Sequence, residues 1–147
     1  MTIDTDHLDS CVRTLGSDHR WTATDRPNRA ASIKRSSETS LSIGYELTQE
    51  TSFKLLKRAL QDFGHGRRKL DATPVKEILR LSALHGLMTL EEVERWFAYR
   101  DNRNDTAHDY GEGFANETLK LLPAFIVDVR TLEAILRARF GEDSDHA

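Results

Sequence analysis

The sequence has one cysteine and no long apolar run, and each of these features excludes a class of protein. The single cysteine, Cys11, excludes an internal disulfide framework and suits a reducing compartment, so we expect a cytoplasmic protein. No stretch approaches the roughly 18–20 apolar residues that a transmembrane helix needs. Residues 1–6 also lack the basic and apolar parts of a signal peptide. Because the formal net charge is only −3, any nucleic-acid binding has to be local rather than spread over a basic surface.

Helical periodicity is the main pattern that is present. Apolar residues recur at helical spacing along most of the chain, and no segment shows convincing strand alternation. The predicted helices are, in chain order, residues 5–16, 30–63, 73–86, 89–111 and 114–140. Residues 64–69 are interpreted as a glycine-punctuated basic turn, and Pro123 is expected to kink the last helix. We therefore predict an all-α, up-and-down bundle of four or five helices.

The length and composition favour a single domain. The chain has 147 residues, of which 38% are apolar and 31% charged, and this is enough to bury one core. We predict one domain over residues 1–147. Within it, residues 1–40 form an N-terminal helix and a polar loop, residues 41–140 form the bundle core, and residues 141–147 form a disordered acidic tail.

The predicted helix at residues 89–111 changes character along its length. It opens on a capping box, in which Glu92 follows Thr89 by three residues, and Gly111 lies where a left-handed cap would end it. The apolar stripe predicted for this helix runs, in order, through Val93, Trp96, Phe97, Arg100, Asn104, Ala107 and His108. Unpaired buried polar groups cost about 1–3 kcal/mol each. The polar end of the stripe must therefore be paired, hydrated or used in a functional site.

The residue types at that end suit the cleavage of an RNA phosphodiester. His108 has a side chain that moves protons near neutral pH, and the Arg103 guanidinium suits the negative charge that develops on the phosphate. Asn104 precedes His108 by one turn and is a polar support for either. Spacing alone does not separate this chemistry from a structural role in which the same residues cap and pair the helix end.

Helical geometry constrains how such a site is assembled. At 100° per residue, Arg103 and His108 lie about 140° apart on one helix, whereas Arg103 and Tyr110 lie about 20° apart. Either the long arginine side chain wraps around the helix, or a second subunit completes the site across a two-fold axis. We favour a homodimer with a cleft lined by two copies of the motif.

Other chemical signals are weak. The six histidines and Cys11 show no zinc-ligand spacing, and there is neither a Glu-x-x-His di-iron signature nor a phosphate-cradling loop. We therefore predict no metal or cofactor. Arg67, Arg68 and Lys69, in the basic turn, are candidate phosphate contacts, although such turns are common on protein surfaces.

Three stretches resemble one known family. The octet RNDTAHDY (residues 103–110) resembles the signature of the HEPN superfamily, an arginine followed by a histidine and, two residues on, a tyrosine. It is most similar to the nucleotidyltransferase substrate-binding subgroup, which overlaps the HepT-type toxins. YELTQETSFKLLKRAL (residues 45–60) and PVKEILRLSALHGLM (residues 74–88) are similar to the flanking helices of that subgroup. The resemblance covers about residues 40–140, and the first 40 residues depart from it.

The resemblance implies a HEPN-like helical domain that forms a homodimer and pairs with a small nucleotidyltransferase of the MNT type. In the toxin form, the HEPN protein is a metal-independent endoribonuclease and the nucleotidyltransferase is its antitoxin. By this resemblance Arg103 and His108 are catalytic, Asn104 supports them, and Tyr110 is the tyrosine that the antitoxin adenylylates. The alternative is a non-catalytic subunit that presents a substrate to the nucleotidyltransferase. A purely structural or assembly role is a third interpretation.

Overall fold

A computed structural model describes the backbone of residues 3–17, 30–105 and 112–141. Side chains are described for residues 3–15, 43–102 and 117–141. These residues form helices and no strand, which confirms the all-α prediction. The helices are α1 (Asp6–Ser17), α2 (Ala30–Asp62), α3 (Arg67–Asp71), α4 (Val75–Leu84), α5 (Leu90–Asp105) and α6 (Glu112–Phe140). None of them is long and apolar enough to span a lipid bilayer.

The helices pack as a bundle in which α1 and α5 run opposite to α2, α4 and α6. Helix α6 contacts α1, α2 and α5, while α4 packs between α2 and α5. At one end of the bundle Phe63 of α2 lies beside Phe140 of α6, and at the other Tyr45 bonds to Tyr99. The chain reverses direction at every connection except that between α2 and α4, where α3 carries it back along α2. Residues 1–2, 18–29, 106–111 and 142–147, including the predicted acidic tail, lie outside the described residues.

An aromatic cluster forms the centre of the core. Phe125 of α6 packs edge-on against three rings, with centroids 4.7 Å from Tyr45, 5.0 Å from Tyr99 and 5.7 Å from Trp96. All four side chains are buried. Because edge-to-face pairs add about 0.5–1.5 kcal/mol each beyond their burial, this cluster fixes α2, α5 and α6 relative to one another.

Local sequence signals end and begin the helices as predicted in two places. Gly86 adopts φ +77° after α4, and the N–H of Leu87 donates to the carbonyl of Ser82 at 2.8 Å, which is a Schellman ending. At the start of α5, the Glu92 N–H donates to Thr89 Oγ1 at 3.1 Å and the Thr89 N–H donates to Glu92 Oε1 at 3.2 Å. The predicted capping box is confirmed.

The structure differs from the sequence prediction at residues 67–71, and it shows how the chain continues at Pro123. The segment predicted as a basic turn is partly helical, because Arg67–Asp71 form α3. This short helix is held by the burial of Leu70 and by an ion pair between Lys57 and Asp71 at 3.7 Å. Helix α6 continues through Pro123 from Glu112 to Phe140.

Candidate functional site

The predicted motif begins on the last turn of α5. Arg103 and Asn104 belong to that helix, which ends at Asp105, and the structure describes their backbone but not their side chains. His108 and Tyr110 lie outside the described residues. The predicted arrangement of Arg103, His108 and Tyr110 therefore stays a prediction, and the described part of the site is the frame that holds the end of α5.

The buried face of α5 is rotated from the predicted stripe. Trp96 and Val93 are buried as expected, but Phe97 is only partly buried, and Tyr99 is the second large aromatic residue inside the core. The buried face runs along Trp96 and Tyr99, because Phe125 of α6 packs against both rings and Asp128 of α6 accepts a hydrogen bond from the Tyr99 hydroxyl. Arg103 follows Tyr99 by four residues, which makes it the next position on this line of the helix.

A buried carboxylate joins α5 to α6 beneath the motif. Asp128 Oδ2 and Oδ1 accept hydrogen bonds from Arg95 Nε and Nη2, each at 2.8 Å, and Oδ2 accepts another from the Tyr99 hydroxyl at 2.5 Å. The bidentate bond raises the pKa of Arg95, so its guanidinium stays charged. Burial, and next the hydrogen bond to Asp128, raise the pKa of the Tyr99 phenol. Tyr99 therefore stays a neutral donor.

The backbone at Tyr99 is held from α2. Its carbonyl accepts hydrogen bonds from the Tyr45 hydroxyl and from Gln49 Nε2, both at 3.1 Å. Tyr45 and Gln49 are buried, and burial raises the pKa of the Tyr45 phenol, which keeps its proton available to donate. One residue of α5 thus receives contacts from α2 at its backbone and from α6 at its side chain.

Asn102, the residue immediately before the motif, joins α5 to α6. Its Nδ2 donates to Thr118 Oγ1 of α6 at 3.0 Å. Thr118 is fully buried. Sequence reasoning missed Asn102 and Asp128, because nothing in the local pattern reveals which residues face each other across helices.

Arg100 shows how part of the predicted polar stripe is satisfied. Its guanidinium carbon lies 5.8 Å from the centroid of the Phe53 ring, and its Nη1 lies 3.8 Å from Glu50 Oε1. A guanidinium is stabilised by an aromatic ring beneath it and by a nearby carboxylate. Arg100 therefore needs no functional role to account for its position.

The remaining candidate positions lie away from the end of α5. Arg67, Arg68 and Lys69 are exposed on α3, whose Asp71 pairs with Lys57. Lys57 is twelve residues, or about 18 Å along the helix, from Tyr45. Among the residues whose positions are described, no group of three or more histidine, cysteine or acidic side chains is arranged to hold a metal ion.

A histidine pair that the sequence did not predict lies at the opposite end of the bundle. The Nε2 atoms of His65 and His85 are 2.8 Å apart, and the His85 ring stacks on Phe63 at 4.4 Å. The ring centroids are 5.0 Å apart, which fits two imidazoles pointing head-on in an N–H···N hydrogen bond. The two residues follow the ends of α2 and α4, so the pair ties those two helix ends together.

Comparison with known proteins gives concordant matches. Residues 29–138 match the profile of a family described as nucleotidyltransferase substrate binding protein like. The probable ribonuclease HepT of Haemophilus influenzae is 33% identical over 95 residues, which are 65% of this chain and 64% of that protein. The match thus spans just under two thirds of that relative.

The fold has a solved counterpart. A Haemophilus influenzae structure, described as revealing the fold of a substrate binding domain of a nucleotidyltransferase, superposes with a TM-score of 0.70 at 26% identity. The superposition covers 91% of this chain and 99% of that chain. The relative found by sequence is therefore described as a ribonuclease, and the one found by structure is described as a substrate-binding domain.

Proposed function

This chain belongs to the nucleotidyltransferase substrate binding protein family, in the HepT-like group of the HEPN superfamily, and from that premise we propose that it is a cytoplasmic, metal-independent endoribonuclease toxin. The observation that carries the proposal is the octet at residues 103–110. It lies inside the matched range of residues 29–138, and it begins on the last turn of α5, directly after the residues that fix this helix to α2 and α6.

The proposed reaction is attack by an RNA 2′-hydroxyl on the adjacent phosphate. His108 acts as a general acid or base, because an imidazole changes protonation near neutral pH. Arg103 binds the phosphate oxygens and stabilises the charge that develops on them, since a guanidinium stays charged and donates in a fork. Asn104 supports one of these groups by hydrogen bonding. The new bond joins the 2′-oxygen to phosphorus and the bond from phosphorus to the 5′-oxygen breaks, which leaves a 2′,3′-cyclic phosphate. The 2′-hydroxyl loses one proton to a base, and the leaving 5′-oxygen takes up one proton from an acid.

RNA cleavage by purified variants tests this proposal. We expect the wild type to cleave RNA in the presence of EDTA, and His108→Ala and Arg103→Ala each to lose at least about a hundredfold in rate. His7→Ala and Arg58→Ala are matched controls, because both residues are exposed and lie outside the motif. Cleavage by His108→Ala at the wild-type rate would exclude His108 from catalysis.

A dimer follows from the angular offset of Arg103 and His108. We propose a homodimer in which two copies of the octet line one cleft. A partly exposed and mostly apolar strip on α6, formed by Ile126, Val127, Thr131, Ala134, Ile135 and Ala138 beside Arg130, supports self-association, since such strips often mark contacts between subunits. Sedimentation should show a dimer at micromolar concentration. A stable monomer that still cleaves RNA would contradict the shared cleft.

Control by a nucleotidyltransferase partner is the second part of the proposal. The chain has three tyrosines, and Tyr45 and Tyr99 are each only 1% exposed. The resemblance of the octet to the HepT-type toxins implies that Tyr110 is the phenol that we propose an MNT-type antitoxin adenylylates, and the burial of the other two tyrosines supports this choice. Incubation with the cognate nucleotidyltransferase and ATP should add the mass of AMP and abolish RNA cleavage. AMP addition that persists in Tyr110→Phe would rule out this residue.

The alternative is a substrate-binding subunit without ribonuclease activity, and the similarity to the solved substrate-binding domain favours it. In that case Arg103 and His108 bind a phosphate of the substrate. RNA would stay intact with the wild type, and the partner's transfer reaction would need this chain. For Arg67, Arg68 and Lys69 we propose at most an auxiliary phosphate contact, which predicts that their joint replacement by Gln raises KM and leaves kcat unchanged.

A further inference from the structure

We infer that Asn102 is a positioning residue for the catalytic octet and acts through Thr118; this inference rests on the proposed function. Asn102 immediately precedes Arg103 in the sequence. Its Nδ2 donates to Thr118 Oγ1 of α6 at 3.0 Å. We call this pair of residues the clasp. The bond between Asn102 and Thr118 joins the two ends of residues 103–117, the segment that contains the whole octet.

The clasp restrains the last turn of α5, which the contacts of Tyr99 do not reach. Tyr45 and Gln49 fix the Tyr99 carbonyl to α2, and Asp128 fixes the Tyr99 side chain to α6. Both contacts act one turn before the motif. Asn102 is the last residue of α5 with a described side chain, and its amide carries the restraint to the start of the octet.

The clasp is expected to affect catalysis because a small rotation of the end of α5 would displace the side chains of the site. Side-chain ends lie about 5–6 Å from a helix axis, so a rotation of about 20° at the end of α5 displaces them by about 2 Å. A misplacement of about 1 Å at a reacting centre can lower the rate by about a hundredfold. By contrast, a single neutral hydrogen bond contributes only a small part of the stability of a whole domain. Loss of the clasp should therefore reduce kcat much more than it reduces folding.

Thr118→Val separates positioning from folding, because valine keeps the shape of threonine and lacks the hydroxyl. Thr118→Ser keeps the hydroxyl. Thr14→Val is the control for the same chemical change, since the Thr14 hydroxyl donates to the Ser10 carbonyl of its own helix at 3.0 Å and takes no part in the clasp. We expect Thr118→Val to lower kcat for RNA cleavage about tenfold or more with KM within about twofold. Thr118→Ser and Thr14→Val should resemble the wild type.

Hydrogen exchange provides a readout that does not depend on activity. In Thr118→Val, amides of residues 103–117 should exchange about tenfold faster or more, while those of α4 keep the wild-type rate. Thr118→Ser should restore protection. Unchanged exchange in Thr118→Val, or an equal increase in Thr118→Ser, would overturn the inference.

The two readouts keep the clasp and the proposed function distinguishable. A wild type that cleaves RNA, together with an equally active Thr118→Val, would refute the clasp and leave the ribonuclease intact. A loss of kcat in Thr118→Val with an equal loss in Thr118→Ser would also refute it. A wild type that leaves RNA intact would refute the ribonuclease, and the exchange of residues 103–117 would still decide whether the clasp holds this segment.

Discussion

Replacement of Asp128 by asparagine should show how strongly α6 holds the end of α5. The Asp128 side chain is 3% exposed, and its two oxygens accept three hydrogen bonds, two from Arg95 and one from the Tyr99 hydroxyl. Asparagine has the same shape but offers one acceptor oxygen and an NH₂ donor. At least one of the three donors then faces another donor, so the network cannot be satisfied.

The expected decrease in the free energy of unfolding can be derived from the exposure of the Asp128 and Arg95 side chains. Breaking a fully buried ion pair costs about 3–5 kcal/mol. Because the Arg95 side chain is 44% exposed, water can solvate its guanidinium, and we expect a smaller loss of about 2 kcal/mol. For a chain of this size that loss corresponds to a decrease in Tm of about 4–8 °C. Tyr99→Phe removes one donor and leaves the ion pair, so it should cost about 1 kcal/mol.

Urea and thermal unfolding measured by circular dichroism test these values. Asp101→Asn is the matched control, because Asp101 also lies on α5 and pairs with Lys76 at 2.9 Å, but its side chain is 55% exposed. Such surface pairs contribute less than about 1 kcal/mol. If Asp128→Asn and Asp101→Asn destabilise the protein equally, the buried network does not hold α5 to α6 and the reasoning is wrong.

Three further predictions concern local contacts. Thr89→Ala removes the α5 cap and should cost about 1 kcal/mol in urea unfolding, while Thr89→Ser should recover most of it. Gly86→Ala should cost about 1 kcal/mol, because φ is +77° there; a stabilised variant would contradict this conformation. The hydrogen bond from Arg130 lowers the pKa of Asp9 below its ordinary 3.8. Its stabilisation is therefore present above about pH 4 and is lost as the pH falls through the lower folded value. Asp9→Asn should be less stable than the wild type at pH 7 and converge with it near pH 2; a gap independent of pH would refute the assignment.

Local signals predicted much of the fold. The reciprocal bonds of Thr89 and Glu92 and the positive φ of Gly86 depend on residues a few positions apart, and the sequence displays that spacing directly. Helix α3 was missed because five residues are too few for a periodic pattern. Its stability comes from tertiary contacts, the burial of Leu70 and the pairing of Asp71, which local spacing does not reveal.

The candidate site was less predictable because its supports are distant in sequence. Periodicity identified α5 as amphipathic but placed Phe97 on its buried face. In the structure Phe97 lies under the cations of Lys76 and Arg80, and Tyr99 lies inside. Successive residues of a helix are 100° apart around its axis, so an apolar stripe through Trp96 can include either Phe97 or Tyr99. Only the position of Asp128 on α6, 29 residues later, decides between them.

The buried polar residues around Tyr99 argue that this end of the bundle has a function beyond folding. Gln49, Thr118 and Asp128 are buried, and each forms a hydrogen bond with α5. Gln49 Oε1 and Trp96 Nε1 find no hydrogen-bond partner in the part of the chain that the structure describes. Apolar residues of similar volume would avoid these desolvation costs. A core that retains buried polar side chains is less stable, but it gains directional hydrogen bonds to one helix end. Buried polar groups that lower stability are expected next to functional sites. Since that helix end continues into the octet, the polar core supports a role for residues 103–110 that a simple helix cap would not require.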